Sequence, residues 1–307
     1  MQPGTRIGID IGGTFTDFVV FNPGSGSIET FKLLSTPHNP AEAVLKGLRL
    51  VARGAPPDSD NGPDRIIHGS TVATNALLER KGARTALVAT QGFGDVLQIG
   101  RQNRPSLYDF SDDPPPPLVP EELRFEVRER VDHHGNVLIP LNPAEIDELV
   151  QQLGSLQVES VAVCLLFSFL YPEHESLVAS RLRDSGLRVS PSFEILPEYR
   201  EYERISTTVV NAYVSPVLDN YLGYLESALG ETGDRLRVMQ SNGGHISIRE
   251  ARRNGVRCIL SGPAGGVVGA RYTAQLALSM PQPVTRSPHP QTQPQRPLSI
   301  ITFDMGG

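Results

Sequence analysis

Apolar and other residues alternate through residues 6–11, placing Ile7, Ile9 and Ile11 on one face of a period-two pattern. A second strand-like run covers residues 18–21, and the turn between them holds Gly12 and Gly13, so the pair predicts a hairpin. The sequence Asn39-Pro40-Ala-Glu42 then starts a helix that runs to about residue 53. Asn can cap the helix, proline fits its first position, and an early glutamate suits its positive end. The same signature recurs at Asn142-Pro143-Ala-Glu145 and predicts a helix through residue 153.

Between and beyond these helices, strand and helix patterns take turns. Residues 65–69 read as a strand, 71–80 as a helix, 84–90 as a strand, and 94–99 as a short helix. The apolar run 161–169 predicts a fully buried strand of a mainly parallel sheet. Helix 173–184, closed by Gly186, and strand 187–191 complete a β-α-β unit. Residues 201–229 form the longest helical stretch, with a break expected near Pro216, followed by strand 236–240 and helix 264–278. Two segments break the pattern: the proline run 114–117, a rigid loop, and residues 281–297, a Pro/Gln/Ser/Thr-rich flexible insertion. A last strand, 298–303, leads into Asp304-Met-Gly-Gly307. Alternating strands and helices imply an α/β fold.

Composition narrows the function classes. With 307 residues, 39% hydrophobic and 20% charged, the chain can bury a sizeable core. A net charge of −6 argues against nucleic acid as the partner, and the longest apolar run is too short for a membrane span. No targeting pattern precedes residue 6, and Cys164 and Cys258 read as separate buried thiols, so a reducing, cytoplasmic setting is expected.

The chemistry concentrates in Asp10-Ile-Gly-Gly-Thr-Phe-Thr-Asp17. Lacking Cβ atoms, Gly12 and Gly13 let backbone N–H groups approach phosphate oxygens, and Thr14 and Thr16 can add hydroxyl donors. Asp10 would repel phosphate, but it can hold Mg²⁺ through water or orient an attacking water. Alone, the pattern also fits an ordinary tight turn. A second copy at Asp304, Gly306 and Gly307 favours a phosphate site in which two carboxylates flank one polyphosphate.

The doubled motif resembles the actin/Hsp70/sugar-kinase ATPase superfamily, and the chain more specifically resembles the hydantoinase A/5-oxoprolinase family. The matching stretches are residues 7–17, 68–80, 100–108, 202–213, 239–244, 261–266 and 302–307, spread along nearly the whole chain. The resemblance implies a ribonuclease-H-like (actin-like ATPase) lobe with a mixed sheet and flanking helices, C-terminally truncated. It also implies ATP and Mg²⁺ as cofactors and the ATP-dependent opening of a cyclic amide of the 5-oxoproline or hydantoin type. On that reading Asp10 and Asp304 organise metal and water, while Gly12, Gly13, Thr14, Thr16, Gly306 and Gly307 hold phosphates. Residues 1–200 correspond to the family's N-terminal domain and 201–280 to the start of its central domain. Residues 281–297 are the insertion, and 298–307 open the second phosphate motif. A hydantoinase B-like second subunit or fused domain, and a homo- or hetero-oligomer, are the implied partners. A carboxylase subunit of the same family, a sugar kinase and a non-catalytic remnant are the competing readings.

Other residues carry weaker signals. Thr71, Thr74 and Asn75 open a helix where an anion could sit, or simply cap it. Ser261 and Gly262 open another helix, with close helix packing as the alternative. Arg101, Arg104 and Tyr108 could grip a substrate carboxylate from a loop, or be solvated. Asn242 precedes Gly243 and Gly244, which shape either a substrate loop or a hairpin turn. His133 and His134 read as a turn rather than a metal site, and His68 as a core histidine.

Overall fold

The computed structural model describes residues 4–36, 38–54, 63–103, 108, 115–279 and 301. The insertion at 281–297, Arg104, Asp304, Gly306, Gly307 and all of strand 298–303 but Ile301 lie outside the described residues. The strands in chain order are β1 (Arg6–Ile11), β2 (Phe15–Asn22), β3 (Ser27–Leu34), β4 (Arg65–Ser70), β5 (Thr85–Thr90) and β6 (Arg124–Val127). They continue with β7 (Arg130–Val131), β8 (Val137–Ile139), β9 (Ser160–Cys164), β10 (Arg188–Pro191), β11 (Leu236–Met239) and β12 (His245–Ser247). The helices are α1 (Pro40–Gly54), α2 (Val72–Leu78), α3 (Val96–Ile99), α4 (Pro143–Ser155), α5 (Glu173–Asp184), α6 (Ser192–Ile195), α7 (Glu201–Leu229), α8 (Ile248–Arg253) and α9 (Ser261–Ser279). None of them is long and apolar enough to cross a membrane.

Contacts divide the chain into two compact units that are not contiguous in sequence. The first contains the described residues of Met1–Thr71, Tyr224–Ile248 and Arg257–Gly307; the second contains those of Val72–Gly223 and Arg249–Val256.

In the first unit a six-stranded sheet runs in the order β12-β11-β4-β1-β2-β3. β1, β4 and β11 are mutually parallel neighbours, while β2, β3 and β12 pair antiparallel at the two sides. This is the mixed sheet with flanking helices that the ribonuclease-H-like expectation requires. Ile7, Ile9 and Ile11 are buried, which fixes the register of β1 and puts Asp10 on the other face. α1 lies against β2 and β3, and α9 against β4 and β11. β3 was not foreseen: nearly all its residues are exposed, so it shows little alternation, and it is held by its ladder to β2 and by Phe31 stacked on Phe18 at 4.7 Å.

In the second unit an all-parallel sheet, β10-β9-β5-β6, has two wholly buried strands at its centre, β5 and β9. α4, α5 and the N-terminal half of α7 contribute Ile146, Leu149, Leu182, Ile205 and Val209 to its core. Asn142 caps α4 as expected, its Oδ1 accepting from the Ala144 N–H at 3.1 Å. Two expectations need correction. The strand predicted over 161–169 ends at Cys164, because Leu165 directs its N–H to the Glu175 carboxylate and its carbonyl to Arg204 instead of to a neighbouring strand. α7 continues through Pro216 without a break. Its flanking residues Val214, Leu218 and Leu222 are fully buried, and packing on that scale outweighs one lost backbone hydrogen bond.

Candidate functional site

The first unit gathers several of the motif residues at the C-terminal end of β1. Asp10 is exposed there, between the buried Ile9 and Ile11. In register it faces Asp17 of β2 on one side and Gly69 of β4 on the other. A Cβ at Gly69 would lie 2.8 Å from Asp10 Oδ1, and one at Gly262, in the first turn of α9, would lie 3.9 Å from it. The carboxylate therefore occupies space left by Gly69, close to a helix N-terminus whose dipole favours negative charge.

The turn after Asp10 is closed by a hydrogen bond from the Gly12 N–H to the Phe15 carbonyl at 2.9 Å. Its remaining carbonyls are tied down from outside. Ser35 donates its hydroxyl to the Gly12 carbonyl at 2.8 Å and its N–H to the Thr14 carbonyl at 2.9 Å, while the Thr71 hydroxyl donates to the Ile11 carbonyl at 3.3 Å. The N–H groups of Gly13 and Thr14 take no hydrogen-bond partner among the described residues, and both residues are exposed. Two adjacent unpaired donors on a clamped turn are suited to binding an anion. Thr16 differs from Thr14: it is fully buried, with its hydroxyl 3.1 Å from that of Ser35, so it braces the turn from within.

Two further candidates lie in the same unit. Ser261 is buried, and its hydroxyl donates to the Ser70 carbonyl at 3.4 Å, tying the start of α9 to the end of β4. Asn242 lies in the β11–β12 hairpin turn, where its Oδ1 accepts from the Gly244 N–H at 2.9 Å and Gly243 has φ +81°. This is the hairpin-turn arrangement. His68, next to Gly69, is fully buried, and that burial pushes its imidazole down to about 4 against an opposing hydrogen bond with the Ile9 backbone. It is a neutral core residue at physiological pH.

Of the remaining candidates, Asn75, Arg101, Tyr108, His133, His134 and Cys164 belong to the second unit, and Cys258 to the first. Asn75 is exposed on α2, and its carbonyl accepts from the Glu79 N–H. Arg101 pairs with Glu203 at 2.8 Å and sits 5.6 Å over the Tyr202 ring. Tyr108 is 92% exposed. His133 and His134 lie in a turn whose N–H groups at His134 and Asn136 are accepted by Asp132, and no group of three metal-binding side chains occurs among the described residues. Cys164 and Cys258 are buried and free, and burial pushes the Cys258 thiol up to about 12.

Sequence reasoning missed Ser35 and Gly69. Ser35 follows the unforeseen strand β3, so its place against Gly12 had no local signal. Gly69 did carry one: a glycine inside a strand often marks a close approach, here that of Asp10.

Comparison with known proteins converges on one family. Residues 6–186 match the hydantoinase/oxoprolinase N-terminal region, and residues 204–281 match the hydantoinase/oxoprolinase region that follows it. The caprolactamase subunit alpha of Pseudomonas jessenii is 35% identical over 98% of this chain and 42% of its own length. 5-oxoprolinase 1 of Arabidopsis thaliana is 36% identical over 98% of this chain and 25% of its own length. Among solved structures, the nucleotide-free acetone carboxylase, described as acting by ATP-dependent acetone carboxylation, superposes with TM-score 0.79 at 29% identity, over 90% of this chain and 41% of its own. The ATP-dependent caprolactamase of Pseudomonas jessenii superposes with TM-score 0.78 at 36% identity, over 89% of this chain and 40% of its own. The chain thus spans between a quarter and about two fifths of the length of these relatives.

Proposed function

The chain belongs to the hydantoinase/oxoprolinase family, whose solved members named above are ATP-dependent enzymes, and we propose that it supplies the phosphate-handling residues of an enzyme that uses ATP to open a cyclic amide. The observation that carries this reading is the exposed Asp10 carboxylate beside the unpaired Gly13 and Thr14 N–H groups on a turn clamped by Ser35.

A lactam resists hydrolysis because resonance makes its carbonyl carbon a poor electrophile and its nitrogen a poor leaving group. Moving the γ-phosphoryl group of ATP onto the carbonyl oxygen activates that carbon, and water then adds to it. The C–N bond breaks as the nitrogen takes a proton and leaves as the amine, and a second water hydrolyses the resulting acyl phosphate to carboxylate and phosphate. The chain's own residues position and neutralise charge. The Gly13 and Thr14 N–H groups and the Thr14 hydroxyl donate to phosphate oxygens, Gly12 gives them close approach, and Thr16 acts through Ser35 to hold the turn. Gly306 and Gly307 play the same part in the second motif. Asp10 and Asp304 hold water around the phosphates. The exposed Asp10 carboxylate, in register with Asp17 and beside Gly69, fits a water-mediated Mg²⁺, which would supply charge neutralisation when bound. The start of α9, with Ser261 and Gly262, and the Thr71 hydroxyl position the end of β1. Asn75, Arg101, Arg104 and Tyr108 are assigned to the cyclic amide, and a second subunit completes the enzyme.

Identity of 35–36% to a caprolactamase and a 5-oxoprolinase, against 29% to the acetone carboxylase, supports the hydrolase over a carboxylase. The fold itself is common to both readings, with TM-scores of 0.79 to the carboxylase and 0.78 to the caprolactamase. In the whole protein, phosphate release is to be measured with 5-oxoproline, hydantoin and caprolactam, and with ketones plus bicarbonate. Turnover on the cyclic amides alone is expected. Asp10→Asn is expected to lower it roughly a hundredfold or more. Unchanged coupled turnover in that variant would sink the assignment of Asp10, and turnover on ketones alone would select the carboxylase.

A further inference from the structure

The second unit holds a cleft of about 870 Å³ bordered by the end of α5, β10, α6, α7 and α8. Five arginines line it, Arg183, Arg188, Arg249, Arg252 and Arg253, against three carboxylates. Three of the arginines are anchored: Arg183 on Glu194 at 3.0 Å, and both Arg188 and Arg252 on the single carboxylate of Asp219. Burial works against the Asp219 charge, but the hydrogen bonds from Arg252 and Arg188 outweigh it and hold the carboxyl below its ordinary range. One carboxylate shared by two guanidiniums leaves a surplus of positive charge. Arg249 and Arg253 are exposed, and their side chains make no hydrogen bond or ion pair to any other described residue.

The cleft is built on a rigid, fully satisfied frame. Asn211 is completely buried on α7, and its Nδ2 donates to Ser190 Oγ and to the Arg253 carbonyl, each at 3.0 Å. Its Oδ1 accepts from the Ser215 hydroxyl and the Val256 N–H, each at 3.1 Å. Every hydrogen-bonding position of this amide is thereby used to fix the end of α8, which carries the two unanchored arginines, against β10 and α7. Arg252 of α8 packs against α7 at Gly223, where a Cβ would come within 3.3 Å of its Nη2.

We propose that this cleft binds a small polyanion, a ligand carrying two or more phosphate or carboxylate groups. Its volume suits a small molecule rather than a single inorganic ion. Guanidinium forks match carboxylate and phosphate oxygens in pairs, and a cluster of arginines in excess over carboxylates attracts an anion with several such groups. None of these residues belongs to the Asp10 site, so the inference stands apart from the ATP reading.

The test is isothermal titration of the 307-residue chain with pyrophosphate and, separately, with citrate, at low and high salt. The expected result is saturable binding of at least one probe that weakens with salt. Arg249→Gln/Arg253→Gln is expected to weaken it by at least about tenfold while leaving the circular dichroism unchanged. Binding of pyrophosphate alone assigns phosphate groups, and binding of citrate alone assigns carboxylates. Because pyrophosphate can also meet the Gly12–Thr14 turn, the deciding quantity is the part of the binding that the double substitution removes. Equal affinity and stoichiometry in the double variant, or no saturable binding of either probe to the unaltered chain, overturns the proposal.

Discussion

At Gly69 the missing side chain determines where the Asp10 carboxylate can sit. A methyl group 2.8 Å from Oδ1 is inside any normal contact, so Gly69→Ala forces Asp10 to rotate or β4 to shift. Because Oδ1 is the far end of an exposed side chain that can rotate away, chemical denaturation of Gly69→Ala is expected to show a loss of only about 1 kcal/mol. Shortening the partner relieves the clash. The double variant Asp10→Ala/Gly69→Ala is therefore expected to be more stable than Gly69→Ala, a coupling that a double-mutant cycle measures directly. Additive losses would show that Asp10 and Gly69 do not touch. His68, next to Gly69 in the strand, points with Ile9 to the buried face of the sheet and is neutral, so it adds no charge beside Asp10.

At the scale of elements, how much the sequence reveals depends on whether the deciding interaction is local. Helix α4 was legible because its start is set by Asn142 within its own first turn, and α5 because Gly186, at φ +89°, closes it within two residues. The hairpin carrying Asp10 was legible for the same reason. The end of β9 was not, since it depends on Glu175 and Arg204, ten and about forty residues downstream of Leu165. Both side chains are fully buried, and Arg204 also donates to Ser168 and Ser192 at 2.5 and 2.8 Å. Burial raises the Glu175 carboxyl above its ordinary value of 4.5, with the Leu165 and Phe193 N–H groups and the charge of Arg204 acting in opposition. A carboxyl raised in the folded state stabilises fully below pH 4.5, and that contribution is lost as pH rises through the folded value. Removing Arg204 raises the value further. Arg204→Met is accordingly expected to cost about 3–5 kcal/mol near neutral pH and less near pH 4.5, where Glu175 is closer to being protonated in both states. Denaturant melts of Arg204→Met and the unaltered chain at the two pH values check this; a pH-independent difference would show that Arg204 acts by packing alone.

At the scale of the whole molecule, the two compact units interleave along the chain, and this constrains where it can be cut. The regions matched by family comparison, 6–186 and 204–281, invite a boundary near residue 200. The contacts argue that such a cut breaks both units. In the first, β11 is the parallel neighbour of β4, and α9 lies against both, so residues 1–200 lack a strand, its hairpin partner and a covering helix. That leaves β4 an unpaired edge and uncovers Ile66 and His68, both fully buried in the chain. In the second unit the same cut removes Ile205, Val209 and Ala212 of α7 from the core around Val161 and Val163. Loss of several fully buried side chains at roughly 1.5–3 kcal/mol each is comparable with the whole stability of a domain, about 5–15 kcal/mol. A fragment of residues 1–200 is thus expected to bind a hydrophobic dye and to melt without a cooperative transition, while residues 1–279 melt cooperatively. Hydrogen exchange supplies the decisive comparison: protection of β1 and β4 in the short fragment equal to that in the long one would show that the first unit does not need β11 and α9, and that residue 200 is a true boundary.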